Sequence, residues 1–204
     1  MGLFDNMFGN NSSKNGNSSP NEPGNGDELM DEEKFWELIA IANSKSDGDY
    51  EQLQEELGEE LAKLSGEEII HFDNRFSFYR GQAYTWDLWA AAYIMNGGCS
   101  DDCFMDFRGW LIGKGKETYF KALEDVESLA EIDYDMEEEE WEGMGYVAMT
   151  AFEEKTGSEL STEFEENLTI SGEDWEEEEL ESKLPILWKK WGCGYTTFLS
   201  QLHK

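Results

Sequence analysis

Apolar side chains recur at helical spacing along most of the chain, and that period predicts the elements. Phe35, Leu38, Ile39 and Ala42 follow i, i+3, i+4, i+7, and Leu53, Leu57, Leu61 and Leu64 line one stripe of a second helix opened by Asp47 or Asp49. Ser65-Gly66-Glu67-Glu68 has the form of a capping box. The serine oxygen and the glutamate carboxylate satisfy backbone donors that a first helical turn leaves open, so a third helix starts here and carries Ile69, Phe72, Phe76 and Tyr79. Trp86, Trp89, Ala90 and Tyr93 repeat the period until Gly97-Gly98, where glycine enters the left-handed region without a side-chain clash. Ser100 opens the next helix, with Phe104, Phe107, Arg108 and Leu111 facing inward, and a shorter helix forms around Tyr119, Phe120 and Leu123. Between positions 136 and 156, Trp141, Met144, Ala148 and Phe152 keep the helical spacing. Residues 157–172 read as an acidic loop, and Leu180, Leu184, Leu187 and Trp191 mark a last helical element that Pro185 kinks or restarts. No stretch alternates at period two long enough to nominate a strand, and no repeat of fixed length appears. The expected fold class is all-α, a single multi-helix globular domain after a disordered N-terminal tether.

The chain divides by composition. Residues 1–8 are expected to form a short amphipathic tip, because Leu3, Phe4, Met7 and Phe8 fall on one side of a helical turn; a frayed terminus is the plainer alternative. Residues 9–26 form a disordered linker: sixteen of the eighteen are Asn, Gly, Ser or Pro, which cannot offset the entropy of ordering. Residues 27–204 are the expected helical domain, with an acidic C-terminal half at 131–182.

Charge narrows the classes of partner. The formal net charge is −32. Phosphate binding draws its affinity from Lys and Arg, so direct nucleic-acid binding is not expected, and neither is attachment to an anionic bilayer. With 39% hydrophobic and 14% aromatic residues the acid coats a folded body rather than a disordered tail. The 131–182 segment holds twenty-one acidic side chains and one Lys, a net of −20, whereas residues 183–204 hold four Lys and no acid. Coulomb attraction favours folding of this cationic, aromatic ending, with Trp188, Lys189, Lys190, Trp191, Tyr195 and Phe198, over the acidic half. The runs at 137–140 and 176–179 read as solvated faces. A calcium loop starting at Asp133 fails, because Glu138 stands where Gly is needed and Met144 where a bidentate Glu belongs. No metal and no cofactor is expected.

The longest apolar run, from Leu88 to Met95, is far below the roughly 20 residues of a membrane span. The first residues lack a secretory pattern, and Asn6 stands where a myristoylation signal wants Ser or Thr. Cys99, Cys103 and Cys193 are odd in number and lack the spacing of a disulfide scaffold, which points to a reducing interior and a cytoplasmic location.

One segment stands apart. Residues 84–102 are apolar, nearly uncharged, and end in Gly97-Gly98-Cys99-Ser100-Asp101-Asp102. One reading makes Cys99 a thiolate lowered by a helix dipole, with His71 as base, but Asp101 and Asp102 oppose a thiolate and no spacing places His71 beside it. The other reading is architectural: the glycines end one helix, Ser100 or Asp101 caps the next, Asp102 suits its positive end, and Cys99 is a small buried corner residue. Arg108 is expected to pair with Asp87 or Asp102, either locking helices or gripping an anionic ligand. The candidate ligand or pocket residues are therefore Trp86, Asp87, Trp89, Cys99, Ser100, Asp101, Asp102 and Arg108, with no catalytic and no metal-binding residue assigned.

These residues also carry a resemblance. Phe35-Trp36-Glu37-Leu38-Ile39, Ala83-Tyr84, the run Asp87 to Ile94, Gly97 to Asp102, Phe104, Phe107 to Ile112 and Gly115 resemble the bacterial domain-of-unknown-function family 4240. The similarity spans roughly residues 31–130, and Gly172-Glu173-Asp174-Trp175 with Leu184-Pro185 resembles, more weakly over 172–188, the acidic end of its members. Val126 departs from the pattern where a Pro is common, and the Asn-rich linker lies outside it. The resemblance implies a helical cytoplasmic bacterial protein and transfers no activity. Two functions then compete: a non-catalytic interaction or inhibitor/immunity-type protein that presents its acidic surface to a basic protein, and an enzyme or small-ligand receptor with a pocket around Trp86, Asp87, Cys99, Asp101, Asp102 and Arg108. An acidic coat serving only hydration at high salt is the third. The sequence names no oligomeric state.

Overall fold

The computed structural model describes residues 28–134, 141–162 and 164–192. The tip at 1–8 and the linker at 9–26 lie outside the described residues, as do the run 137–140 and Cys193, Tyr195 and Phe198 of the cationic ending. Among the described residues the chain is helical without a strand; the nearest approach to a sheet is one isolated parallel bridge between Thr85 and Ser171.

Each helix starts where a side chain satisfies its open amides. Asp31 accepts from the amides of Glu33 and Lys34 to begin α1, Glu32–Ser46. Of the two aspartates expected to open α2, Tyr50–Ala62, it is Asp49 that caps, accepting from the Gln52 amide at 2.8 Å. Asp47 instead takes the left-handed conformation that ends α1. The Ser65 capping box forms in both directions at the head of α3, Gly66–Gln82. Thr85 caps α4, Trp86–Met95, and Ser100 caps α5, Asp101–Gly113. The short α6, Lys116–Glu124, runs into a 3-10 turn at Val126–Glu131.

One expectation is corrected beyond α6. The spacing at 136–156 predicts helix throughout, yet among the described residues of that stretch, 141–156, helix begins at the 3-10 turn Met144–Tyr146 and continues as α7, Val147–Thr156. Gly143 sits at φ 111°, which breaks the run, and Trp141, outside any helix, is buried with its carbonyl accepting from the Tyr50 hydroxyl. Of the cationic ending, residues 193–204 lie outside the described residues, while the described part reaches the start of the acidic half, where Lys190 Nζ donates to the Ile132 carbonyl and the Trp191 ring meets Tyr134 edge-on. The last helical element breaks into a 3-10 turn at Glu177–Glu179, α8 (Leu180–Lys183), α9 (Pro185–Leu187) and a π turn at Trp188–Gly192, with Pro185 restarting the helix. These pieces dock on the Val126–Glu131 turn: the Glu127 carboxylate accepts from the Ile186 and Leu187 amides, and Lys190 Nζ donates to the Ala130 and Ile132 carbonyls. Open amides at the start of α9 and open carbonyls at the end of the turn direct the docking.

α1 and α2 pack as a hairpin, α7 lies against α2 and α3, and α5 crosses α3 and the Met144–Tyr146 turn. The core is unusually aromatic. Phe35, Trp36, Phe72, Tyr79 and Tyr119 form one cluster, in which the Trp36 indole donates to the Tyr79 hydroxyl and the Tyr119 hydroxyl donates to the Tyr79 carbonyl. Burial pushes the Tyr79 phenol up to about 12. A second cluster of Phe104, Phe107, Trp110, Tyr134 and Trp141 runs along α5 and continues into the α4–α5 corner.

Candidate functional site

Trp86 and Trp89 lie three residues apart, on one face of α4, and their rings stack at 5.4 Å with planes 10° apart. Trp89 lies in turn on Phe104 of α5 at 5.1 Å and 13°. Tyr84 flanks both rings. The aromatic surfaces expected to wall a pocket are thus spent on one another. Gly97 at φ 64° ends α4, and the Gly98 amide reaches back to the Tyr93 carbonyl at 2.8 Å. The Trp89 indole donates to the Cys99 carbonyl at 3.0 Å, fixing the corner. Ser100 Oγ accepts from the Cys103 amide at 3.2 Å, while Asp101 and Asp102 occupy the exposed first turn of α5, where the helix dipole favours their charge.

Three sequence expectations change here. Cys99 is not a buried lone thiol: it is half-buried and disulfide-bonded to Cys103, one helical turn on, with Cα atoms 5.3 Å apart. Cysteine usage therefore gives no argument for a reducing compartment. Asp87 pairs with Lys183 at 2.9 Å rather than with Arg108. Asp102 is exposed, and Arg108 pairs with neither aspartate.

Arg108 is 4% exposed and its partner is Glu166, from the acidic loop. Its Nη1 donates to Glu166 Oε1 at 3.1 Å and to the Arg80 carbonyl at 2.9 Å, and its Nε donates to the Phe104 carbonyl at 3.3 Å. The guanidinium sits 4.5 Å from the centre of the Tyr84 ring. Arg80, at the end of α3, grips the other oxygen of Glu166 through Nε at 2.8 Å and through Nη2. Burial draws the Arg108 guanidinium below its ordinary value and Glu166 draws it back.

The residues on either side of Glu166 lie along α3 and α4 like a strap. Thr162 Oγ1 bonds Asn74 Oδ1, and the backbone of Asn167 passes Gly81 so closely that a Cβ there would meet its nitrogen at 3.2 Å. Ser171 then exchanges backbone hydrogen bonds with Tyr84 and Trp86, at 3.1 and 2.9 Å. The Trp175 indole donates to the Trp86 carbonyl at 2.9 Å, and the Tyr93 hydroxyl donates to Glu177 at 2.8 Å.

Of the eight candidates, Trp86, Trp89, Cys99 and Ser100 meet in the corner, Asp87 turns to Lys183, Asp101 and Asp102 face solvent, and Arg108 points to the strap. Sequence reasoning missed Arg80, Glu166, Asp73 and Trp175. The one available signal was that only three of the fifteen basic residues are Arg, each set among aromatics, which is where a planar fork binds a carboxylate best. An open depression elsewhere, between α6 and the turn after it, is lined by Glu117, Lys121, Ser128 and Ile132 and gathers no candidate residue.

Comparison with known families places the chain. The family model described as a protein of unknown function (DUF4240) matches residues 30–154. The chain belongs to the DUF4240 family. No match was found among curated proteins or among solved structures. The DUF4240 match includes all eight candidate residues together with Asn74, Arg80 and Gly81. It stops before Glu166, Ser171 and Trp175, and before the 172–188 stretch. Among the described residues, no helix of this DUF4240 member is long and apolar enough to cross a membrane.

Asp73, two turns before Arg80 on α3, reports on the same region. Burial pushes its carboxyl up to about 6, with Glu166 adding to the shift and Arg80 opposing it. A folded value above the ordinary 3.8 means that the native state binds this proton more tightly. The stability it contributes is full below the unfolded value and is lost as pH rises through about 6. Asp73→Asn is therefore expected to raise stability at neutral pH by about 2 kcal/mol and to change it little at pH 4, read by urea denaturation at both values. Equal effects at the two pH values would contradict the assignment.

Proposed function

We propose that this protein is a non-catalytic interaction protein that offers a fixed acidic face to a cation-rich partner protein. One observation carries the reading. The strap is fastened to α4 by the Ser171 backbone pair, the Trp175 indole and Glu177, while Glu173, Asp174, Glu176, Glu178, Glu179 and Glu181 remain exposed. Among the described residues none of these six meets a Lys or Arg in an ion pair. Charge left uncompensated on a held segment projects a field that steers a basic surface and loses little freedom on contact. The stacking of Trp86, Trp89 and Phe104 on one another supports this reading over a small-ligand pocket at the same corner.

The test is affinity capture with the full chain and with a variant carrying Glu173→Gln, Asp174→Asn, Glu176→Gln and Glu178→Gln. A basic protein is expected to be retained at low ionic strength, to elute as salt shortens the Debye length below about 5 Å, and to be lost with the variant. Retention that ignores both salt and the four substitutions, or no basic protein retained at all, defeats the reading.

A further inference from the structure

Arg80 and Arg108 hold a carboxylate that the DUF4240 domain itself does not supply. Every residue of the cradle lies within the matched stretch 30–154, and its occupant, Glu166, lies beyond it. We propose that the α3 face of the domain is a recognition groove for an extended acidic peptide, with a glutamate side chain seated between Arg80 and Arg108, and that residues 158–171 are its removable internal occupant.

Three observations independent of the ion pair point to a peptide rather than a small anion. Gly81 is buried, and the absence of a side chain there lets main chain, at Asn167, run against the helix. Asn74, two turns earlier on the same face and fully buried, accepts through its side-chain Oδ1 from the hydroxyl of the occupant's Thr162. The link between α3 and α4 offers the Tyr84 carbonyl and the Trp86 amide to the Ser171 backbone, as a sheet edge would. The groove thus reads side chain, main chain and main chain again along one extended segment.

The occupant makes the polar contacts above, and its apolar Leu160, Phe164 and Ile170 are half-buried. It contains no helix or strand among its described residues; Leu160 packs on the core, whereas Glu165, Asn167, Leu168 and Thr169 face solvent, Leu168 at 70% exposure. Tethering gives it an effective concentration in the millimolar range, which is what a competing peptide must overcome. This inference does not depend on the basic partner proposed above, since it concerns an acidic ligand at a cationic cradle.

The experiment measures binding of a fluorescent peptide of sequence 158–172 to the full chain and to its Glu166→Gln variant. The variant's own segment loses the charge that seats it, so the peptide is expected to bind the variant at least about tenfold tighter than the wild-type chain. A peptide with glutamine at the position of Glu166 is expected to bind the variant at least about tenfold more weakly than the native peptide. Equal binding of the two peptides, no gain from Glu166→Gln, or equal competition by free glutamate overturns the proposal. A second measurement stands if the variant does not fold. With wild-type chain, millimolar unlabelled peptide is expected to accelerate exchange of the chain's own Ser171 amide, which displacement frees from the Tyr84 carbonyl. An unchanged exchange rate overturns the proposal equally.

Discussion

Truncation of Glu166 to alanine is expected to destabilise the fold by about 3 kcal/mol, although the residue sits in a loop without secondary structure. The cost arises on the other side of the pair. The Arg108 side chain is 5% exposed, and without the Glu166 carboxylate its charge stays buried with only carbonyl oxygens and two ring faces around it. Arg80 loses both of its bonds to the same group. Urea denaturation of wild type and variant measures the difference. Amide exchange at Trp86 and Ser171 should rise in parallel, because the backbone pair between strap and α4 has lost its anchor. A loss below about 1 kcal/mol, the range of an exposed ion pair, would mean that the contact is superficial.

The second large effect belongs to Phe104. This ring is fully buried and touches three partners at once: the Trp89 indole stacked on it, Tyr84 beside it, and the Arg108 guanidinium 5.2 Å from its centre. Phe104→Ala is expected to cost about 3 to 5 kcal/mol, from lost burial together with a cavity that neighbours tied by hydrogen bonds cannot close. Trp86→Ala, at the half-buried outer end of the same stack, is expected to cost less. The ranking matters for function. Rings kept to line a ligand site would be individually dispensable to stability, whereas rings that form the corner are not. Chemical denaturation of the two variants decides, and a Phe104→Ala loss no larger than that of Trp86→Ala would argue for an open wall.

What was legible in the sequence follows from the range of the interaction involved. The starts of α2, α3 and α5 were readable at Asp49, Ser65 and Ser100, because a cap is completed within three residues and leaves its signature in local sequence. Gly97 and Gly98 were readable for the same reason. The break before α7 was not, because the apolar spacing of Trp141, Met144 and Ala148 fits a helix and the deciding feature is the positive φ of Gly143. Similarly, the partner of Arg108 lies 58 residues away in a loop whose glutamates all look alike. Nothing in Glu165-Glu166-Asn167 marks the middle carboxylate as the one that turns inward. The inward position of Arg108 came from helical periodicity, whereas its partner came from tertiary docking, and only the first is written locally. The disulfide shows the same limit in reverse: Cys99 and Cys103 sit at the spacing of one helical turn, but Cys99 precedes the cap, and its reach to Cys103 depends on the turn made by Gly97 and Gly98.

The interaction reading also depends on the strap. Its exposed glutamates form a defined face only while Glu166, Ser171 and Trp175 keep the segment against α3 and α4, so the Arg cradle is the physical basis of the acidic surface. The most direct measurement is a double-mutant cycle with Arg108→Met and Glu166→Gln, each alone and both together, followed by urea denaturation. A coupling energy of at least about 1.5 kcal/mol is predicted, with the double variant less destabilised than the two single losses summed. Additivity to within about 0.5 kcal/mol would contradict the account, because it would mean that the two side chains do not depend on each other and that the strap is held by something else.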